Sequence, residues 1–272
     1  MSRELRILLE DNDLVAVWKP SGMSVHAHTF GFRDGLPLLQ RLHRQIGAQV
    51  QPVHRLDRAT SGIVLFALNS QSASVLGQQF MEGTVQKRYL ALVRGFCPSD
   101  GQLNYPLQRR KGADRHRRSR DTATRTEQTE PTVKHETNDG SGSAESGLST
   151  PAVLQEALTC YESLRRFAIP ICSDRYPTTR CCLLKVIPHT GRWHQIRRHF
   201  NRFSHPIIGD TSHGDSRQNR FFREQFGIRR LMLVSTSLQF QHPATGNLIR
   251  LDEPADPGFQ TGIDRLAPHE LD

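Results

Sequence analysis

An α+β fold, with a central mixed and mainly antiparallel sheet flanked by helices, is predicted by three observations. Apolar runs of strand length outnumber segments of helical period, the two kinds do not alternate strictly, and one run is apolar at almost every position. The first two runs, in "LRILLEDNDLVAVWKPSG", read as a hairpin. They flank the turn formers Asp11, Asn12 and Asp13, and Pro20 and Gly22 end the second. In "GLPLLQRLHRQIG", Leu38, Leu39, Leu42 and Ile46 lie near helical spacing and Gly47 is a stop. "SGIVLFALN" is the continuous apolar run, expected to be a strand covered on both faces. "SQSASVLGQQFMEG" follows as a helix capped by Ser70 or Ser72, with Val75, Leu76 and Phe80 inward.

In "QKRYLALVRGF" the alternation puts Tyr89, Ala91 and Val93 on one face and Leu90 and Leu92 on the other. Three more strands are expected in "TRCCLLKVIP", "RLMLVSTSLQFQHP" and "NLIRL", and a basic helix in "RWHQIRRHFNRF". Residues 109–150 differ from all of this. They are almost without apolar side chains, basic at first, then acidic and Ser/Gly-rich, so they are expected to be an insertion without a core of its own. Its basic half fits an electrostatic arm on RNA or a surface insertion without function.

The 272 residues suffice for one large domain or two lobes on a shared core. A formal charge of +9 favours a polyanionic partner, because neutralising phosphates releases counterions. Five cysteines without a CxxC pair argue against a disulfide scaffold and a structural zinc site, and fit a reducing cytoplasm. No signal peptide or membrane-length apolar run is present.

Candidate chemistry concentrates in "HRLDRATSG". Asp57 stands between Arg55 and Arg58, and a neighbouring guanidinium keeps a partly desolvated carboxylate ionised. Such a group can be a nucleophile or base, or only an ion pair. Thr60, Ser61 and Gly62 are placed to turn the chain and bond its backbone. Tyr89 is a core tyrosine or a platform for a base. In "HTGRWHQIRRHF" the three-residue spacing puts His194 and Arg197 on one helical face, and Arg192 and Arg198 lie close by. That pattern serves a site or a phosphate-facing helix, and it is not the HExxH zinc arrangement.

Taken in order, "KPSGMSVH", "HRLDRATSG", "QKRYLALVRG", "HTGRWHQIRRH", "HPIIGD" and "LQFQHPATG" resemble the RluA family of RNA pseudouridine synthases, from about Leu5 to Leu251 apart from the polar insertion. "RYPTTR", "HPIIGDTSHGDSRQNR" and "FGIRRLMLVS" are similar to a tRNA-acting branch, whose target is uridine 65 on the T-arm side of the acceptor region. The resemblance implies the pseudouridine synthase fold with a catalytic cleft. It implies a single catalytic domain from residues 1–108 and 151–256, a tail at 257–272 and no N-terminal S4 module.

The resemblance also implies roles. Asp57 is the essential carboxylate, Tyr89 stacks on the uracil and helps remove its C5 proton, and Arg197 pairs with the aspartate. Arg55 fills the space of the flipped-out uridine, and Ile196, His54, Arg58, Arg192 and His194 complete the substrate-binding set. The reaction cuts N1–C1′, turns the uracil and joins C5 to C1′, so it implies no cofactor and no metal. A flipped base needs a replacement in its stack and a stacking partner. tRNA is the implied partner of a monomer, and 23S rRNA or another tRNA position is the alternative substrate. A non-catalytic RNA-binding protein on this scaffold is a rival that the set Arg55, Asp57, Tyr89 and Arg197 speaks against. A metal-dependent phosphoesterase using the thirteen histidines lacks the carboxylate–histidine spacing.

Overall fold

The computed structural model describes residues 4–26, 35–109 and 153–271. The N-terminal half carries β1 (Ile7–Glu10), β2 (Leu14–Lys19), α1 (Leu38–Ile46), β3 (Gln51–Pro52), β4 (Ser61–Ala67) and α2 (Ser70–Glu82). Next come β5 (Gln86–Arg94), β6 (Asp100–Asn104), β7 (Leu107–Gln108), β8 (Leu154–Gln155), β9 (Leu158–Ile169) and β10 (Thr179–Pro188). The chain ends with α3 (Gln195–Arg202), α4 (Ser216–Phe226), β11 (Leu233–Gln241), β12 (Leu248–Asp252), α5 (Pro257–Asp264) and a 3-10 turn (Ala267–His269).

The main sheet runs β1-β2-β4-β11-β5-β10-β9-β6, with β12 also on β11 and β3 also on β4. Only β4 and β11 pair in parallel, so the sheet is mixed and mainly antiparallel as expected. The continuous apolar run of β4 has its physical reason here. Val64 and Phe66 pack with Val15, Val17 and α1 residues Leu38 and Leu42 on one face. Ile63, Leu65 and Ala67 pack with α2 residue Leu76 and with Leu238 and Phe240 on the other. Every β4 residue is buried, so no position is left for the polar half of an alternating pattern. The β5–β10 half of the sheet has a separate core with Phe200 of α3, Phe222 of α4 and Phe259 of α5.

Several expectations needed correction. Asn69 caps α2, accepting the Ser72 amide at 2.8 Å, and Val75 is exposed while Leu76 is buried. Ser72 is spoken for by Asp13, to which its hydroxyl donates. Ser61 uses its hydroxyl on side chains, donating to Asp256 and accepting from Arg230, and not on the turn backbone. The expected tail at 257–272 instead contributes α5, whose Phe259 and Ile263 are buried along with Leu266. Asp256 caps α5, and Glu270 pairs with Arg165 on β9. β9 itself went unforeseen, because its outward residues Glu162, Arg165 and Arg166 dilute the buried Tyr161, Phe167 and Ile169.

The expected insertion, apart from Arg109, lies almost wholly outside the described residues. On its two sides β7 and β8 pair antiparallel, and the Arg109 amide bonds Val153 at 2.8 Å. Arg198 of α3 holds this ladder by donating to the Gln108 carbonyl. Where β4 meets β11, Gly62 has φ +127°, and a Cβ there would lie 2.2 Å from the Ser235 carbonyl oxygen. No side chain fits without parting the parallel pair. Gly62→Ala is therefore expected to destabilise the protein by about 3 kcal/mol, read as a lower urea midpoint with an unchanged slope.

Candidate active site

Two loops that are far apart in sequence are zipped together at the end of β2. Lys19, the last residue of β2, is fully buried, and its ammonium donates to the carbonyls of Pro20, Met23 and Arg58 at 3.0, 2.8 and 3.1 Å. The Gly22 amide donates to Arg58, the Arg58 guanidinium returns a bond to Gly22, and the Ser21 hydroxyl donates to Ala59. These bonds fix the backbone on the C-terminal side of Asp57, and the Thr60 amide closes the turn onto the Asp57 carbonyl. The clasp gives "KPSG" a meaning that the sequence did not reveal.

On the opposite wall, Gln195 starts α3. Its side-chain carbonyl accepts from the Thr190 hydroxyl and the Arg192 amide, and its amide group donates to Leu158 and Thr159. This buried glutamine fastens the turn "HTGRWHQ" to β9, and His194 adopts a left-handed conformation with φ 51°. The helix thus begins one residue after His194, yet both His194 and Arg197 reach Asp57. Arg197 Nη1 lies 3.1 Å from one carboxylate oxygen, and His194 Nε2 lies 3.7 Å from the other.

Asp210, absent from the expected site, decides the orientation of Arg197. It accepts a bidentate pair from Nε and Nη2, both at 2.7 Å, and the Ser212 and His213 amides as well. Its side chain is 1% exposed and that of Arg197 6%, against 23% for Asp57. The fork geometry is the strong form of a charge-assisted bond. Burial opposes ionisation of Asp210, but the guanidinium and the two amides hold it below the ordinary carboxylate range. The usable sequence signal was the acid at the end of the quoted "HPIIGD".

Asp57 lies in a cavity of about 300 Å³, and among the described residues it is the one acid in the wall. Tyr89, Ile196, Arg55, Arg192, His54 and His194 line it too, so the structure gathers most of the expected set. Burial pushes the Tyr89 hydroxyl up to about 12, Ser235 beside it opposes this through a hydrogen bond, and Asp57 adds to it. Burial brings His194 down to about 4 despite the attraction of Asp57, so the ring is neutral near pH 7. Its Nδ1 faces His213 Nε2 at 2.9 Å, a pair that shares one hydrogen. His54 is stacked on Phe80, accepts the Leu65 amide at Nε2 and is pushed down to about 3 by burial, so it is a neutral wall residue. Arg58 does not line the cavity; it belongs to the clasp. Thr60 lines the wall as well, with a buried hydroxyl that has no partner among the described residues.

A possible cation site exists elsewhere. Asp11, Asp13 and His242 bring three ligand atoms together at the β1–β2 turn. Asp11 there accepts the Asp13 and Leu14 amides, and Asp13 accepts from Asn69 and Ser72, so these groups close a turn.

A cleft with one acid, held by an arginine that is itself clamped, beside a neutral tyrosine, is suited to work on a flat ring near a carboxylate. The chain belongs to the RNA pseudouridylate synthase family, whose model matches residues 13–202, and is an isomerase of that class. It is 41% identical over 249 residues to tRNA pseudouridine synthase C of Pasteurella multocida, covering 91% of this chain and 90% of that one. The protein of the same name from Haemophilus ducreyi is 37% identical over 99% of this chain and 98% of its own. Among solved structures, human RNA Pseudouridylate Synthase Domain Containing 1 shares the fold with a TM-score of 0.63 at 23% identity, over 95% of this chain and 87% of that one.

Two outcomes follow from this geometry. Asp210→Asn removes one charge from the clamp and leaves Arg197 buried with Asp57 alone, so stability should fall by about 3 kcal/mol, measured by urea unfolding. Burial, only partly countered by Asp57, takes Lys19 down to about 7, against 10.5 in an unfolded chain. Between those values the unfolded chain holds a proton that folded Lys19 has shed, so this residue makes stability rise with pH from about 7 to 10. Wild-type unfolding free energy should rise more steeply over that window than that of Lys19→Met.

Proposed function

We propose that this protein isomerises uridine to pseudouridine in tRNA, at uridine 65, with Asp57 as the essential carboxylate. The observation that carries the reading is the single acid of the cleft wall, in contact with an arginine clamped from behind. The tRNA assignment is supported by relatives at 37–41% identity over nearly the whole chain, each named tRNA pseudouridine synthase C.

In this reading the target uridine leaves its stack and enters the cleft. Unstacking costs a few kcal/mol, offset by what replaces and receives the base. Arg55, exposed on the cleft wall, takes the vacated place in the RNA. Tyr89 and Ile196 hold the ring between an aromatic and an aliphatic face. Arg197 holds one oxygen of Asp57 at 3.1 Å in a partly desolvated wall, where a carboxylate is a strong base or nucleophile. The neutral Tyr89 hydroxyl, with Asp57 nearby, is placed to assist loss of the C5 proton. The detached uracil stays in a cavity of about 300 Å³ while it turns. Bonds broken and formed lie within one nucleotide, so the reading requires no cofactor. The catalytic body comprises residues 1–108 and 151–256 together with the C-terminal segment that carries α5.

Purified protein incubated with unmodified tRNA transcripts should give one pseudouridine, mapped by carbodiimide modification at position 65. Product at another tRNA position or only on 23S rRNA would overturn the site assignment. Asp57→Asn should lower single-turnover rates by at least about 10³-fold with tRNA affinity within threefold; full activity in that variant would refute the role of Asp57. Tyr89→Phe should keep binding and slow product formation.

A further inference from the structure

A larger cavity, about 650 Å³, lies outside the cleft, between the end of β5 and the loop Ser173–Arg180. We propose that it is a second RNA-docking pocket, taking a phosphate and an unstacked base of the substrate at nucleotides other than the reacting uridine. The proposal rests on the reading of the substrate as tRNA.

The pocket has the chemistry for that ligand. Arg94, Arg175 and Arg180 line it, and its one acid, Asp174, is held by Arg217 at 2.7 Å. Arg94 is neutralised by Asp215, the N-cap of α4. Arg175 and Arg180 have no carboxylate partner among the described residues. Their guanidinium groups lie near aromatic rings, Arg175 over Tyr176 at 5.8 Å and Arg180 over Phe96 at 5.2 Å. Two exposed guanidiniums without a carboxylate partner among the described residues, each near a ring, leave N–H groups to a phosphate. Tyr176 itself is 65% exposed, with Arg175 near its ring. An exposed aromatic beside unpaired arginines is the combination that grips single-stranded or unstacked nucleotides. Gln218 adds an amide oxygen in the wall that lacks a partner among the described residues.

The position fits one RNA reaching both places. β5 carries Tyr89 in the cleft and Arg94 in this pocket, five residues or about 17 Å apart and on opposite faces of the strand, so an RNA touching both passes around the strand's end. α3 makes the same link on one side of the sheet. Arg197 near its start meets Asp57, and Ser204 and His205, just past its end, line the pocket. The loop also accounts for "RYPTTR", a motif that the cleft does not use.

The test compares wild type, Arg175→Ala/Arg180→Ala, Tyr176→Ala and, as a charge control outside the cavity, Arg44→Ala/Arg250→Ala, on full-length tRNA transcript. All are surface changes. The double pocket variant should raise KM about tenfold with kcat within twofold, and lower the slope of log kcat/KM against log salt by about 1. Tyr176→Ala should raise KM about threefold with the slope unchanged. Unchanged KM and slope in the double variant, or an equal loss in the control, overturns the pocket. Wild type in the same assay separates the two readings. If it forms no product, the tRNA function fails, and the affinity of the same proteins for tRNA by fluorescence titration then decides the pocket on the same fold-changes.

Discussion

The arrangement of this protein depends on one buried cation. Arg197 is shared by two carboxylates, bidentate to Asp210 behind it and single to Asp57 in front. A guanidinium bound on one side only would leave the other side free to swing. Here Asp210 takes the Nε edge, so Nη1 has one direction left, toward Asp57. The one guanidinium thus faces two carboxylates, Asp210 fully buried behind it and Asp57 more open to the cleft.

The rest of the fold can be understood as what holds these three residues in place. Gln195 fastens the turn that starts α3, and α3 carries Arg197. Lys19 and the Pro20–Gly22 turn clasp the backbone after Asp57. Gly62 lets β4 run against β11, which positions Tyr89 through the β11–β5 pairing Ser235↔Tyr89. The hydrogen-bonded group of Ser61, Asp256 and Arg230 ties the start of β4 to the cap of α5, so the C-terminal segment supports the same wall. The polar groups are almost all paired, which makes such a site stiff rather than merely assembled.

The strands and helices with dense apolar patterns were legible early. β2, β4, β5, β10 and α1 lie where alternation, continuous apolar runs or helical spacing put them, because burial of those side chains drives the local geometry. β9 was not legible, since half its side chains face water and look like loop residues. α4 was hidden too. Its signal, Asp215 as cap, Phe221 and Phe222 inward and Gly227 as stop, sits in a stretch dominated by charged and amide side chains. The same dilution made residues 257–271 look like a tail, although Phe259, Ile263 and Leu266 are buried.

Sequence alone determined the family resemblance, the sheet class and the identity of Asp57, Tyr89 and Arg197 as candidates, because those rest on residue types in order along the chain. It could not say which acid holds Arg197, since Asp210 is joined to it only by the fold of the loop after α3. Nor could it tell that Lys19 is a buried clasp, that His54 is a satisfied wall residue, or that Arg58 stands outside the cleft. Those roles are set by which atoms meet in space, as in the Arg197 contacts to Asp210 and Asp57, 13 and 140 residues away along the chain. Local pattern carries no information about such meetings; only the tertiary fold, with β2 paired to β4 and α3 packed on β9 and β10, creates them.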